Sequence, residues 1–441
     1  MEKRKNGWAL LPFAVFAVLY VGLSLYAGSC GFDMPWYKVP MPIAFLVASA
    51  TAFVFGRETL ERKVDVYARG MGETNIMIMC LIFILAGSFA TIAKGAGAVD
   101  AAVTIAQALV PARLMVAGLF LVSCLISTAI GTSCGTIAAV TPIALGFAGP
   151  LGLDPALLMG AVIGGAMFGD NLSMISDTTI AATRTQNVQM KDKFVANLFI
   201  AIPAALVALA IYCCMGVSSA EVTTAVTWAD VTWAHGVLVL PYVFVLVLAL
   251  VGFNVMALLF SGTVLSAVIG ACLGKIDFFG SLDLVGKGTL GMSETLIVAI
   301  LAGGLFRLVD ENGGIDWLTD RISRLVRGPR TCEAGVALLV SLVNCFTANN
   351  TVAIVIAGPI AKTCSDRFGA RGERVASVLD TCSCVIQGVI PYGAQILIAI
   401  GVAKGLDLSV DSLSLLKCLY YQPVLAVFVV LSIVFSKAKG R

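Results

Sequence analysis

Two acidic residues, Asp170 and Asp177, lie inside a long apolar stretch at residues 155–186. The neighbouring polar residues are Asn171, Ser173, Ser176, Thr178 and Thr179. A charge at the centre of a bilayer costs about 2.5–3.5 kcal/mol, so this cluster is tolerable only where it lines water or binds a partner. Such side chains compete for backbone hydrogen bonds and favour a broken helix, whose freed oxygens suit Na⁺ or a proton. The alternative is a cytoplasmic loop between two shorter helices.

A second polar interruption lies in the apolar stretch at residues 375–403. It repeats the Asp-x-x-Ser spacing with Asp380 and Ser383, and it carries Gln387 where the first stretch has Asp177. Pro391 and Gly393 follow and favour a second broken helix. Asp380 could alternatively cap a helix near the membrane surface. The nearby Tyr392 and Gln395 are candidate substrate contacts, and ordinary interhelical hydrogen bonding is the alternative for both.

Two pairs of apolar runs are separated by only a few residues, and we expect each pair to form a re-entrant hairpin, at 112–149 and 332–361. The predicted tips carry Thr132, Ser133, Asn349, Asn350 and Thr351. Backbone groups at such tips must face protein, water or ligand. Packing of small residues between helices is the competing explanation. Arg184 is either an anchor at the inner membrane surface or a clamp for a substrate carboxylate.

The composition sets these residues in a membrane protein. The chain is 59% hydrophobic and 12% charged, about half the charge of a soluble domain. This excludes a soluble enzyme, a disordered chain and a nucleic-acid-binding protein. The single histidine, His235, and the absence of paired CxxC motifs argue against zinc, haem and iron–sulfur cofactors, so no cofactor is expected. The lipid bilayer is the predicted partner, and a homodimer is left open.

We predict an all-α protein with about ten crossings plus the two hairpins. Most of the 29 Lys and Arg residues fall in clusters on one predicted side, at residues 3–5, 57–69, 184–193, 321–330, 362–374 and 437–441. Positive residues favour the cytoplasmic side, which puts both termini in the cytoplasm. Asp100 and Asp316 are expected in loops.

The two halves of the chain resemble each other weakly. Asp100 matches Asp316 at an offset of 216 residues, and Asp170 matches Asp380 at an offset of 210. We predict a first repeat at 1–217, an extracytoplasmic loop at 218–236 and a second repeat at 237–441. Because each half has five predicted crossings, the second must be inverted, an architecture typical of secondary transporters with discontinuous helices.

Three motifs resemble NhaC-type Na⁺/H⁺ antiporters. They are Asp170-Asn171-Leu172-Ser173 with Ser176-Asp177-Thr178-Thr179, Gly131-Thr132-Ser133-Cys134-Gly135-Thr136, and Ile390-Pro391-Tyr392-Gly393-Ala394-Gln395. Met174 stands where the family pattern often has proline. The resemblance implies proton-driven Na⁺ efflux in a prokaryotic plasma membrane and an inverted-repeat fold. Some relatives exchange organic acids or amino acids, so the resemblance does not fix the substrate.

The leading hypothesis is a secondary Na⁺/H⁺ antiporter in which Asp170, Asp177 and Asp380 bind Na⁺ or H⁺ in turn. The alternative is a Na⁺- or H⁺-coupled carrier of a small organic acid or amino acid, with Arg184, Asn349 and Asn350 contacting the substrate. An intramembrane enzyme is disfavoured because the only histidine lies in a predicted outer loop. A passive channel fits two separate broken helices poorly, and no Walker motif is present for ATP hydrolysis.

Overall fold

The computed structural model describes residues 5–30, 32, 38–54, 58–219, 228–251 and 253–436. These residues form 23 α-helices and no β-strand. Seven helical segments among them are long and apolar enough to cross a bilayer. The chain is therefore a polytopic all-α membrane protein, as its composition predicts. Residues 3–4, 57 and 437–441 of the basic clusters and residues 220–227 of the predicted outer loop lie outside the described residues.

The first twelve helices extend to the end of the predicted first half. They are α1 (Leu11–Ala17), α2 (Leu23–Ser29), α3 (Met41–Val54), α4 (Leu60–Met71), α5 (Thr74–Gly95), α6 (Ala98–Leu109), α7 (Met115–Ile130), α8 (Ser133–Gly146), α9 (Ala148–Leu151), α10 (Pro155–Leu172), α11 (Asp177–Gln186) and α12 (Met190–Ser219). A π-helical turn at Val18–Gly22 joins α1 to α2.

The remaining eleven helices follow the predicted outer loop. They are α13 (Trp233–Leu250), α14 (Val255–Cys272), α15 (Phe278–Gly291), α16 (Ser293–Glu311), α17 (Gly314–Ser323), α18 (Pro329–Thr347), α19 (Asn350–Phe368), α20 (Gly372–Gln387), α21 (Ala394–Gly405), α22 (Ser412–Lys417) and α23 (Tyr421–Val434).

Three short amphipathic helices, α4, α6 and α17, occupy segments in which the sequence predicted no crossing. Asp100 and Asp316 lie in the first turns of α6 and α17, so the expectation that they occupy loops is wrong. Each of these helices is amphipathic and shorter than a bilayer crossing, with α4 and α17 also rich in charged residues. An acidic residue in a first turn is favoured by the helix dipole.

Both predicted breaks exist as interruptions between helices. Helix α10 ends at Leu172, and the extended Ser173 and Ser176 lead into α11, where the Ser176 side chain accepts a hydrogen bond from the backbone N–H of Thr178. Six residues separate α20 from α21, and they include Pro391. Proline cannot donate a backbone hydrogen bond, so it opposes a continuous helix there.

The two predicted tips also share one backbone conformation. Gly131 ends α7 with a φ of +76°, and the extended Thr132 precedes α8. Ala348 ends α18 with a φ of +50°, and the extended Asn349 precedes α19. We call residues 131–133 the first tip and residues 348–351 the second tip. Each tip reverses the chain within two residues.

Helix α10 lies at the centre of the larger buried core and packs closely against α7. A Cβ atom on Gly165 or Gly169 would overlap the backbone of α7, so only glycine permits this approach. Sixteen of the eighteen residues of α10 are buried, including Asp170 at its last turn. Close packing on every side fixes the position of that carboxylate relative to the tips.

Candidate functional site

The carboxylate of Asp170 is the centre of the candidate site. Its side chain is buried, with the residue only 5% exposed. Ser133 of the first tip donates a hydrogen bond to Oδ2 at 2.7 Å, and Ser176 donates to Oδ1 at 2.5 Å. Each carboxylate oxygen therefore accepts a hydrogen bond from a hydroxyl group, one at the first tip and one at the break between α10 and α11. Hydrogen bonds to an ionised group are the stronger kind, so these two hydroxyls stabilise a negative charge.

A chain of amides connects Asp170 to the second half of the protein. Gln395 donates to the hydroxyl of Ser133 at 3.0 Å. Gln387 donates to the side-chain oxygen of Gln395 at 2.9 Å and to the carbonyl of Ala348 at 2.9 Å. The first tip, the second tip and the second broken helix thus meet through one hydrogen-bonded network.

Asp170 borders a cavity of about 140 Å³, here called the Asp170 cavity. Its polar lining consists of Asn75, Thr132, Ser133, Cys134, Asp170, Ser176, Asp177, Thr178, Asn349, Asn350, Thr351, Gln387 and Gln395. Ile78, Met79, Ile82 and Ala394 supply apolar walls, and Gly131 completes the lining. No Lys or Arg is among these lining residues of the described chain, so the cavity has two carboxylates and no cationic side chain.

Two buried polar atoms in this lining have no hydrogen-bond partner within the described structure. They are the carbonyl oxygen Oε1 of Gln387 and the amide nitrogen Nδ2 of Asn350. A buried polar group without a partner is costly, and in a cavity it indicates a place for water or a ligand. The Gln387 oxygen adds a neutral acceptor to the charged acceptor of Asp170.

A second polar group, here called the Lys193 cluster, surrounds Asp380. Lys193 on α12 forms a salt bridge with Asp380, and the two side chains are 1% and 0% exposed. The same ammonium donates to the carbonyl of Asn171 and to the hydroxyl of Thr179, both at 2.7 Å. Asn197 donates to the Asn171 carbonyl at 3.0 Å and to Asp380 at 3.3 Å. Asp380 is therefore neutralised internally and does not line the Asp170 cavity.

Eleven of the residues predicted from the sequence line the Asp170 cavity. They are Thr132, Ser133, Asp170, Ser176, Asp177, Thr178, Asn349, Asn350, Thr351, Gln387 and Gln395. Asp177 is exposed at the first turn of α11. Asn171, Thr179 and Asp380 belong to the Lys193 cluster instead. The two groups are separate because α10 ends between them. Asp170 contacts Ser133 of the first tip, whereas the Asn171 carbonyl, which has no partner within the helix, accepts a hydrogen bond from Lys193 on α12.

Four predicted residues lie outside both groups. The hydroxyl of Ser173 accepts from the backbone of Ile175, and that of Ser383 donates to the backbone carbonyl of Asp380. Arg184 is exposed on α11 and does not line the cavity. Tyr392 donates to the carbonyl of Cys345 at 2.5 Å, and its ring packs edge-on against two phenylalanines, Phe16 and Phe45. The Tyr392 contacts are those of an interhelical hydrogen bond within the core.

Sequence reasoning missed Lys193 and Asn197. It counted Lys193 among the basic residues of a cytoplasmic loop, and that placement is wrong because α12 begins at Met190 and buries the ammonium. The available signal was the spacing of four residues between Lys193 and Asn197, which puts both on one face of α12 where its apolar run begins.

Comparison with known proteins connects this arrangement to one family. The sequence profile of the Na⁺/H⁺ antiporter family matches residues 37–217 and 215–437. The Na⁺/H⁺ antiporter NhaC of Bacillus subtilis is 24% identical, with 95% of this chain and 98% of the relative covered. The arginine/ornithine antiporter ArcD of Halobacterium salinarum is also 24% identical, covering 89% of this chain and 85% of the relative. The malate-2H⁺/Na⁺-lactate antiporter of B. subtilis is 24% identical over 64% of this chain and 66% of the relative.

These matches confirm the resemblance to NhaC-type antiporters inferred from the motifs. They also confirm the prediction of a secondary transporter in place of an enzyme, since the relatives are antiporters. The match of the family profile covers nearly the whole chain, including both broken helices and both tips. The chain belongs to the Na⁺/H⁺ antiporter family.

Proposed function

We propose that the protein exchanges Na⁺ for protons and that both bind in turn at Asp170. The observation that carries this proposal is a buried carboxylate at the edge of a small cavity lined by hydroxyl and amide groups without a cationic side chain. A carboxylate buried in this way must be neutralised by a bound cation or by a proton. Because one carboxylate serves both, the two ions compete and are exchanged.

The proposed Na⁺ ligands are oxygen atoms already present around the cavity. Asp170 supplies the negative charge, and the hydroxyl oxygens of Ser133, Ser176 and Thr178 are neutral Na⁺ ligands. The unpartnered Oε1 of Gln387 is a further neutral ligand. When the cation leaves, a proton on Asp170 keeps the group neutral while the carrier changes its opening from one side to the other. Na⁺ and H⁺ are the transported substrates, and the proposal involves no resident cofactor.

We further propose ten crossings and two re-entrant hairpins arranged as two inverted repeats. Backbone features that recur at an offset of 216 or 217 residues support the repeat. Positive φ angles pair Gly97 with Gly313, Gly131 with Ala348, and Gly152 with Gly369, and a proline inside a helix pairs Pro142 with Pro359. In this arrangement the broken helices meet near the midplane, where such transporters bind their substrates.

The proposed orientation places both termini in the cytoplasm of a prokaryotic cell. The basic clusters on one predicted side support it, because cytoplasmic loops carry an excess of Lys and Arg. Without Lys193, which is buried in α12, the sequence clusters still contain most of the Lys and Arg residues. The proposed location is the plasma membrane.

The charge of the cavity favours an inorganic cation over an organic acid. The names of two relatives specify organic substrates: one is an arginine/ornithine antiporter and the other a malate-2H⁺/Na⁺-lactate antiporter. A substrate carboxylate calls for a cationic or multiple-donor partner. The described cavity lining offers amide donors such as Asn350 but neither Lys nor Arg to balance a substrate carboxylate beside Asp170, and Arg184 is exposed elsewhere on α11.

The test measures Na⁺-dependent dissipation of a pH gradient in proteoliposomes for Asp170→Asn. We expect the exchange to be lost, because the amide can neither take up a proton nor supply the charge for Na⁺. Asp192→Asn is the matched control, since Asp192 is an exposed aspartate in the first turn of α12, and it should keep the wild-type rate. Full exchange by Asp170→Asn would contradict the proposal. Proton movement driven by malate, lactate, arginine or ornithine without Na⁺ would favour the organic carrier.

A further inference from the structure

The two aspartates of the broken helices differ in how their charge is balanced. Asp170 has hydroxyl partners and an adjoining cavity, whereas Asp380 has an ammonium in direct contact. Both occupy the last two turns of a helix that ends at a break. The Asp-x-x-Ser spacing is common to both, although the backbone repeat at an offset of 217 residues places Gln387, and not Asp380, at the position of Asp170. In the described structure Asp170 is held by hydroxyl groups, whereas Asp380 is paired with an ammonium that belongs to the same chain.

The oxygen atoms around the Lys193 ammonium form a set that would also suit Na⁺. They are the carboxylate of Asp380, the carbonyl of Asn171 freed by the end of α10, and the hydroxyl of Thr179. Freed carbonyls at helix breaks are the groups that coordinate Na⁺ in transporters with discontinuous helices. A fourth oxygen, Oδ1 of Asn197, is fully buried and has no hydrogen-bond partner in the described structure.

We propose that Lys193 fills a second cation site, separate from the one at Asp170, and thereby limits the protein to a single transported cation per cycle. This inference rests on the proposed exchange at Asp170 and specifies how many ions take part. The ammonium stays attached to α12, so it neutralises Asp380 without being released. A side chain without charge at position 193 would leave the buried carboxylate of Asp380, with the oxygens of Asn171 and Thr179 beside it, for a second Na⁺.

We expect the oxygen atoms around the Lys193 ammonium to keep their positions when the ammonium is removed, because other contacts hold them. Asn197 holds the Asn171 carbonyl at 3.0 Å and the Asn171 side-chain oxygen at 2.8 Å, independently of Lys193. Thr179 lies on α11 and Asp380 on α20, and neither helix depends on Lys193 for its backbone hydrogen bonds. Lys193→Ala also deletes the Cγ, Cδ and Cε carbons and opens space for a hydrated ion.

The experiment is equilibrium binding of ²²Na⁺ to the purified full-length protein in detergent, with the number of ions bound per chain as the readout. We expect one ion for the wild type and two for Lys193→Ala. The double variant Lys193→Ala/Asp380→Asn should bind one, because the second site then has no charge. Lys191→Ala is the matched control, since Lys191 is exposed on the same helix, and it should bind one.

Thermal unfolding at low and high NaCl provides a second readout. We expect Lys193→Ala to be less stable than the wild type without Na⁺ and to recover in high NaCl, whereas the double variant gains no more than the wild type. One bound ion in Lys193→Ala would overturn the inference, and so would failure of this variant to fold in high NaCl while the double variant folds. Absence of Na⁺ binding by the wild type, or retention of one ion by Asp170→Asn, would instead refute the exchange proposed at Asp170.

Discussion

The first tip provides a sharp test because its geometry depends on one glycine. Gly131 has a φ of +76°, a conformation that costs an L-residue about 1–2 kcal/mol. A Cβ at this position would lie 2.8 Å from Cγ1 of Ile175 and 3.1 Å from the backbone nitrogen of Ser176. Ser176 is one of the two hydroxyl partners of Asp170. Gly131→Ala therefore strains the backbone and pushes on the segment that holds the carboxylate.

Two effects add in this variant. Overpacking a close contact typically costs about 1–3 kcal/mol, beyond the cost of the left-handed conformation. Replacing glycine also restricts the unfolded chain, which returns about 0.4–1 kcal/mol. We expect Gly131→Ala to lower the free energy of unfolding by about 1–4.5 kcal/mol. We also expect Na⁺ affinity to fall, because displacement of Ser176 weakens its contact with Asp170.

Two matched variants isolate the cause. Gly118 lies within the same helix, α7, and a Cβ there would meet no atom within 4 Å, so Gly118→Ala should be neutral or stabilising. Ala348 occupies the corresponding place in the second tip with a φ of +50°, and Ala348→Gly should gain about 0.5–1 kcal/mol. Unfolding by denaturant in mixed micelles measures all three. A Gly131→Ala variant within about 0.5 kcal/mol of the wild type would refute the argument.

Further predictions concern Cys134, Glu333 and Asp177. Cys134 lines the Asp170 cavity, so Na⁺ should slow its alkylation, followed by peptide mass spectrometry, while leaving the exposed Cys272 unaffected; equal protection of both would exclude a local effect. Glu333 is 1% exposed and accepts two hydrogen bonds from Arg374, at 2.8 and 2.9 Å, so Glu333→Ala should lower the unfolding free energy by about 3–5 kcal/mol. A loss below about 1 kcal/mol in denaturant unfolding would show that Arg374 reaches water. Asp177→Asn should raise the Na⁺ concentration for half-maximal exchange only about two- to fivefold in the transport assay. The reason is that the carboxylate of Asp177 is exposed at the N-terminus of α11, so it attracts Na⁺ without being a buried ligand. Complete loss of exchange would make Asp177 a direct ligand.

Much of the candidate site could be predicted because polar residues in apolar helices are costly. Asp170, Ser133 and Gln387 stand out in the sequence for that reason, and they meet at the cavity. Helices α4 and α17 escaped prediction because about half of their residues are polar, and α6 because its 12 residues are too few to span a bilayer. The position of Arg184 could not be decided, because an arginine near the end of an apolar run fits an anchor and a substrate clamp equally well.

Composition and spacing were enough to predict a membrane protein, to locate the breaks in its helices and to single out Asp170 and Asp380 within apolar segments. Composition and local patterns carry this information, because the cost of polar groups in lipid depends little on which helices are neighbours. Only the tertiary structure decided which acid faces the cavity and which is already neutralised. The pairing of Lys193 with Asp380 joins residues far apart in the chain, and it depends on how α12 packs beside α10 and α20. The packing that neutralises Asp380 leaves Asp170 as the buried carboxylate at the Asp170 cavity.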